Sequence, residues 1–123
     1  MIVIAVIGLL ASLSYSTYTQ QVAKGRRASA RALIQDVMQH EERYYTNNNV
    51  YTVTLTDLGY AATLHNSSNS HNITLAVGPS GAIATSVSVT ATALITDTKC
   101  TSMTLTSTNV QSGTGTQPSV CWP

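Results

Sequence analysis

The chain has 123 residues, of which 43% are hydrophobic and only 9% are charged, so its length suits one folded domain and leaves no room for a second core. The formal net charge of +1 excludes a global electrostatic field that would attract nucleic acid or acidic partners, so any electrostatic role must come from a local cluster. Serine and threonine make up roughly a quarter of the residues, which predicts a hydroxyl-rich surface.

The chain opens with an apolar stretch, MIVIAVIGLLASL, that has no charge and no proline. A helix over these residues would rise about 20 Å, which is short of the roughly 30 Å hydrocarbon layer of a membrane. Three interpretations are open: the core of a signal peptide, a buried helix, or part of a membrane helix that begins upstream. In the first case, cleavage near Ser14 would release the rest of the chain.

The helix can continue past Leu13, because no proline occurs before Pro79. Farther on, apolar side chains recur at steps of three and four residues, which predicts a one-faced helix. These side chains are Ala30, Leu33, Ile34, Val37, Met38, Tyr44 and Tyr45. The asparagine-rich run 46–49 should end the helix, because asparagine tolerates the left-handed conformation found at helix C-termini. The sequence therefore predicts one helix over about residues 1–45.

A helix of this length is longer than the domain that carries it. It would measure almost 70 Å, whereas the remaining residues would form a domain about 30 Å across. We therefore expect residues 1–23 to protrude and residues 24–123 to form a globular head. The protruding half has no polar face, so it must lie in a membrane or among copies of itself. Its apolar side chains are Met1, Ile2, Val3, Ile4, Val6, Ile7, Leu9, Leu10 and Leu13.

The second half of the chain is rich in β-branched residues that alternate with polar ones. Strands are predicted over 72–77, 84–95 and 101–106, and the turn signal GPSG between the first two favours an antiparallel hairpin. Alternation in the middle strand predicts one buried face and one wet face. The predicted fold class is α+β, with the second half of the helix packed on an antiparallel sheet of three to four strands.

The two cysteines, Cys100 and Cys121, lie in the last quarter of a chain whose apolar start implies export. A disulfide between them would close a loop of about 20 residues and stabilise the fold by about 3 kcal/mol. The competing interpretation is two free thiols or half of a metal site. A metal site would need His40, His65 or His71 as further ligands, and their spacing matches no zinc pattern.

A basic cluster follows the apolar stretch and consists of Lys24, Arg26, Arg27 and Arg31. No acidic residue follows until Asp36, and Arg27 with Arg31 makes a like-charged pair one helical turn apart. We therefore expect an external group to offset the cluster. Lipid headgroups and acidic groups of neighbouring subunits are the favoured partners. DNA is the least favoured of the three partners, because four charges without interleaved aromatic residues are a weak nucleic-acid signal.

No pattern in the sequence predicts an enzyme, a cofactor, a metal or a small-molecule substrate. The run His40-Glu41-Glu42 lacks the second histidine of a zinc protease, because position 44 is Tyr44. No nucleophile elbow, phosphate loop or dinucleotide fingerprint occurs. The tyrosines near the end of the helix are interpreted as packing residues.

Three segments resemble the type IV pilin family. MIVIAVIGLLASLSYSTY resembles its hydrophobic N-terminal signature, and RRASARALIQDVMQHEERYYTNNNVYT resembles minor pilins of the PilE kind. DTKCTSMTLTSTNVQSGTG with the later CW resembles their disulfide-bounded C-terminal region. The resemblance implies a structural and assembly subunit that is single-pass in the bacterial inner membrane and then part of an extracellular pilus. Its partners would be other pilins and the assembly machinery, with twitching motility, adhesion or DNA uptake as downstream traits.

Pilins begin with a basic leader, a glycine at the peptidase site, a phenylalanine and a glutamate. We expect these upstream of Met1, so the N-terminus of this sequence is interpreted as trimmed. One alternative is a pseudopilin of a type II secretion system, whose major form replaces the disulfide loop with a calcium loop. A second alternative is a secreted binding domain released by signal-peptide cleavage.

Overall fold

One long helix and a five-stranded antiparallel sheet form the fold in the computed structural model, which describes residues 2–123. Met1, the first of the predicted apolar side chains, lies outside the described residues. The strands follow one another across the sheet in chain order. The elements are helix α1 (Ile2–Asn48), a 3₁₀ turn (Leu55–Leu58), strands β1 (Leu64–His65), β2 (His71–Val77), β3 (Val87–Ala93), β4 (Ser102–Thr106) and β5 (Gln111–Thr114), and a second 3₁₀ turn (Pro118–Val120).

Helix α1 confirms the predicted single helix and runs without interruption through Gly8 and Ser16. Its C-terminus forms as the asparagine run predicts. Asn49 has a positive φ of 57°, and its backbone N–H donates to the carbonyl of Tyr45 at 2.7 Å. This bond satisfies a carbonyl that the last helical turn would otherwise leave without a donor.

The core lies between the second half of α1 and one face of the sheet, as predicted. Ala30, Ile34 and Val37 are fully buried on the helix. These helical side chains pack against alternate residues of the central strands. Residues two apart in a strand lie on the same face of the sheet. The strand residues of the core are Ile73 on β2, Val87, Val89 and Ala91 on β3, and Met103 and Leu105 on β4.

The outer face of the sheet carries much of the serine and threonine. The strand register places Thr74, Thr90, Thr104 and Ser112 in one row across four strands. The hydroxyls of Thr90 and Thr104 lie 2.9 Å apart, within hydrogen-bonding distance. The hydroxyl-rich composition therefore corresponds to a neutral, wet sheet face.

Two details of the sheet differ from the prediction. Residues 2–123 contain five strands rather than three to four, and the sequence did not predict β1, which has only two residues, or β5, which lacks any apolar alternation. Strand β3 begins at Val87 rather than at residue 84, because the backbone N–H groups of Thr85 and Ser86 bond to the carbonyl of Ala82 in the preceding turn.

Glu41 lies in the core of the head and is fully buried. Its Oε2 accepts the backbone N–H of Thr52 at 3.2 Å, whereas Oε1 has no hydrogen-bond partner among the described residues. Burial raises the pKa of Glu41 to about 7, against the smaller opposing effect of the Thr52 bond. The fold therefore favours the protonated acid.

We predict that Glu41→Gln removes a pH-dependent loss of stability. Glu41 has an ordinary pKa of 4.5 when unfolded and about 7 when folded, so the folded state binds the proton more tightly. Its contribution is fully present below pH 4.5 and falls by about 3 kcal/mol as the pH rises to 7. Chemical unfolding of the full chain in detergent, across this pH range, measures the difference between wild type and variant.

Glu42→Gln is the matched control, because Glu42 is the exposed neighbour and accepts the hydroxyl of Tyr51 at 3.1 Å. This variant should keep most of the wild-type pH dependence, because burial raises the pKa of Glu41 more than the charge of Glu42 does. An unchanged profile in Glu41→Gln would show that the buried carboxyl does not set the pH dependence.

Candidate functional site

The first half of α1 leaves the head entirely, and residues 2–21 are all exposed. Ile2 is 81% exposed, Leu13 69% and Tyr18 67%. By length and composition this helix could cross a membrane, and none of its most apolar window is buried. The structure therefore places the predicted apolar side chains from Ile2 to Leu13 on a bare helical rod.

Four hydroxyls of this rod bond to the helix itself. The hydroxyl of Ser12 donates to the carbonyl of Leu9 at 2.8 Å, and that of Ser16 donates to the carbonyl of Leu13 at 3.1 Å. Thr17 and Thr19 make equivalent bonds one turn back. Hydroxyls bonded in this way need no water, so residues 2–13, whose one hydroxyl is that of Ser12, suit an apolar environment over the whole circumference of the helix.

Arg27 is paired inside the fold. It is 6% exposed, and its Nε and Nη2 donate to the two carboxylate oxygens of Asp97 at 2.6 and 2.8 Å. Asp97 Oδ1 also accepts the backbone N–H of Cys100 at 3.3 Å. The expectation of an external partner for Arg27 is therefore wrong, because the acid comes from the loop after β3 rather than from another molecule.

The rest of the basic cluster is divided between two environments. Arg31 donates from Nη1 to the backbone carbonyl of Cys121 at 2.9 Å, and its partial burial, followed by the charge of Arg27, lowers the pKa of Arg31. The hydrogen bond from Arg27 lowers the pKa of Asp97, so that carboxylate stays ionised. Lys24 is exposed and Arg26 is half-exposed, so these two remain available to a partner.

The helical period could have revealed the burial of Arg27. The buried positions of α1 are Arg27, Ala30, Ile34, Val37, Met38 and Glu41. Arg27 lies three residues before Ala30 and Glu41 three residues after Met38, so each extends the apolar stripe by one step. The charge of Arg27 favoured exposure and an external partner, and its actual partner lies 70 residues away in the sequence.

The predicted disulfide joins Cys100 to Cys121, which are both fully buried, so neither cysteine is free. Gly113 of β5 packs against this bond, and a Cβ at that position would lie 2.6 Å from Cys121 Sγ. The indole N–H of Trp122 donates to the carbonyl of Ser112 at 2.8 Å. Among residues 2–123, no group of histidine, cysteine and acidic side chains could hold a metal ion.

A cleft of about 540 Å³ lies where the rod meets the head. One wall is the stretch of α1 from Thr19 to Arg31, and the other is formed by residues 96–99 with Ser119, Val120 and Pro123. Its basic side chains are Lys24, Arg27, Arg31 and Lys99, and its acidic side chain is Asp97. Three members of the predicted basic cluster therefore line one cleft, and Lys99 joins them from the head.

The tyrosines near the end of α1 contribute to packing, as interpreted from the sequence. Tyr44, Tyr51 and Tyr60 pack against the core. The rings of Tyr45 and Tyr51 stack with centroids 4.6 Å apart, and the Tyr60 hydroxyl bonds to Asp36. These contacts hold the segment after the helix against α1 from Asp36 to Tyr45.

Comparison with known proteins gives one family and one fold. A family model described as "Type IV minor pilin ComP, DNA uptake sequence receptor" matches residues 16–104. A type IV pilin from Shewanella oneidensis has a similar structure, with a TM-score of 0.54 and 21% identity over 72% of this chain and 88% of that chain. At this identity the likeness shows the pilin fold alone. No curated protein matches the sequence.

We predict that Arg27→Gln lowers the free energy of unfolding by about 3 kcal/mol, because it leaves the Asp97 carboxylate, whose side chain is 14% exposed, without its ion-pair partner. Asp97→Asn should have a comparable effect. The double variant should cost less than the sum, because it leaves no buried charge. Urea unfolding of the full chain in detergent measures all three.

Arg26→Gln is the control for this series, because it removes a half-exposed charge at the adjacent position. It should change the free energy of unfolding by less than about 0.5 kcal/mol. A loss of the same small size in Arg27→Gln would contradict a stabilising role for the pair.

Proposed function

The chain belongs to the type IV minor pilin family, and from this premise we propose that it is anchored in the bacterial inner membrane before assembly and then packs by its N-terminal helix into a type IV pilus. The observation that carries the proposal is the bare apolar half of α1. The family and the fold are structural, and we propose no catalytic activity for the chain.

The exposed rod suits both the membrane stage and the filament stage. Lipid tails and the apolar side chains of neighbouring helices offer the same kind of surroundings, so transfer from membrane to filament conserves the environment of the rod. The hydroxyls of Ser12, Ser16, Thr17 and Thr19 already bond to the backbone of the rod, so neither stage leaves these four without a partner. Water is the unfavourable environment, because the rod has no polar face.

We propose residues 1–23 as the anchor and residues 24–123 as the head. Support comes from the burial pattern, since Val22 and Ala23 are the first half-buried residues and Arg27 is the first fully packed one. The Arg27–Asp97 pair then links the helix to the sheet close to this boundary. A force on the rod in a filament would therefore reach the head through an ion pair as well as through the core.

We predict that Leu10→Glu prevents membrane retention and entry into pili while the head still folds. Leu10 is 63% exposed, so the substitution removes no contact within the chain, whereas a carboxylate at the middle of a membrane helix costs at least about 2.5 kcal/mol. Alkaline extraction of membranes and the amount of subunit in sheared pili measure the two stages.

Two control variants test whether the effect of Leu10→Glu depends on the position of the charge on the rod. Leu10→Met keeps an apolar side chain and should behave as wild type. Leu94→Glu places the same charge at a residue of the head that is 53% exposed, and it should remain membrane-bound. Normal retention and assembly of Leu10→Glu would exclude the proposed role of the rod.

A second candidate function is DNA binding during uptake, which the description of the matching family favours. The sequence has six basic residues, and Arg27 is the one that an acid neutralises among the residues that the structure describes. The others are Lys24, Arg26, Arg31, Arg43 and Lys99, and Arg31 spends only one N–H on the carbonyl of Cys121. We propose that any DNA contact uses these five side chains. Twitching motility and adhesion stay predictions that follow from the pilus role.

With at most five phosphates contacted, the slope of log affinity against log salt should be no steeper than about −4.5. Arg26→Gln should weaken binding to all sequences alike and reduce that slope by about one. Fluorescence anisotropy of the full chain in detergent with short duplexes measures both quantities. Arg26→Lys keeps the charge and serves as the control. No binding at low salt would remove DNA as a ligand.

A further inference from the structure

The cleft between rod and head begins where the apolar rod ends. Tyr15 and Tyr18 are 73% and 67% exposed, and tyrosine is enriched where membrane helices meet the headgroup layer. The first cleft residue, Thr19, follows directly, and Lys24 lies about 8 Å farther along the helix axis. The headgroup layer is roughly 5–8 Å thick on each side of a bilayer, so the lower cleft lies at the level of the headgroups.

The other cations of the cleft are directed toward the same level. Helical side chains lean toward the N-terminus of their helix, so Arg27 and Arg31 extend back toward the rod. Lys99 approaches from the opposite wall, on the loop that the Cys100 disulfide holds in place. The cleft therefore gathers positive charge from two parts of the chain at its membrane end.

The charge balance of the cleft favours an anion. Asp97, its acidic side chain, is already neutralised by Arg27, so it does not repel an incoming anion. Arg31 uses one N–H on the carbonyl of Cys121 and has others free, while Lys24 and Lys99 are exposed. The four basic side chains exceed the acidic one by three charges, and in a chain that ends at Pro123 the terminal carboxylate lowers this excess to two.

We infer that this cleft binds the phosphate of an anionic phospholipid headgroup while the subunit is anchored in the membrane, an inference that rests on the membrane stage of the proposed function. The phosphate lies between Lys24 and Lys99, with Arg31 as a further donor. Hydroxyls of Thr19, Thr96 and Ser119 line the same space and can donate to the headgroup oxygens. A lipid held in this way fixes the head against the membrane surface at a defined tilt.

The test uses the full chain in nanodiscs made of phosphatidylcholine alone or of phosphatidylcholine with phosphatidylglycerol. Native mass spectrometry after mild detergent extraction counts the lipids that stay bound. Wild type should retain phosphatidylglycerol in preference to phosphatidylcholine. K24Q/K99Q should weaken that retention about 25-fold, because each lysine near an anionic headgroup contributes about fivefold.

R26Q/R43Q is the matched control, because it removes the same number of charges from residues that do not line the cleft. It should retain phosphatidylglycerol to within about threefold of wild type. Equal losses in the two double variants would overturn the inference, since they would show attraction by diffuse charge. Circular dichroism and an intact disulfide check that each variant folds.

Further outcomes of the same experiment distinguish failure of the membrane anchor from failure of the headgroup site. If the chain does not insert into phosphatidylcholine nanodiscs at all, the membrane anchor itself is contradicted. If it inserts but shows no preference for phosphatidylglycerol, the headgroup site alone is contradicted. Inorganic phosphate in excess over the lipid should not displace bound phosphatidylglycerol, and displacement would assign the cleft to free phosphate and overturn the lipid assignment.

Discussion

One continuous helix must satisfy two different environments, and the rest of the structure follows from this constraint. Up to residue 21 the helix is bare, and it is apolar on nearly all sides up to Leu13, whereas from Arg27 onward one face is buried under the sheet. A helix about 70 Å long cannot be covered by a head of this size. The change from exposed to packed helix falls between residue 21 and Arg27, within about two turns, and the head begins there.

The junction is reinforced by contacts that are distant in sequence. Arg27 bonds to Asp97 on the loop after β3, and Arg31 bonds to the carbonyl of Cys121. Cys121 is in turn joined to Cys100, three residues after Asp97. The C-terminal segment, the loop after β3 and the start of the packed helix thus form one connected unit. Without these bonds, the sheet would be held mainly by the apolar stripe higher on α1.

Most of the fold could be predicted from local sequence patterns, because residues close together in the chain determine where a helix or a strand forms. The helical period, the asparagine stop at Asn49 and the alternation in β3 each depend on neighbours in the sequence. The ion pair of Arg27 could not be predicted in the same way, because its partner is fixed only by the tertiary fold. Strand β5 was missed because Gln111 to Thr114 has no apolar alternation, and its pairing depends on β4 and on the glycine packed against the disulfide.

The distribution of charged residues explains why the formal net charge of +1 does not describe the cleft between rod and head. Four of the six basic residues line a single cleft, and one acidic residue lies among them. The outer face of the sheet, in contrast, presents neutral hydroxyls in rows. Because the rod is apolar and this sheet face is neutral, long-range attraction from either is weak. Selective contact with an anion is therefore concentrated at the junction, where the chain leaves its apolar surroundings and where the head begins.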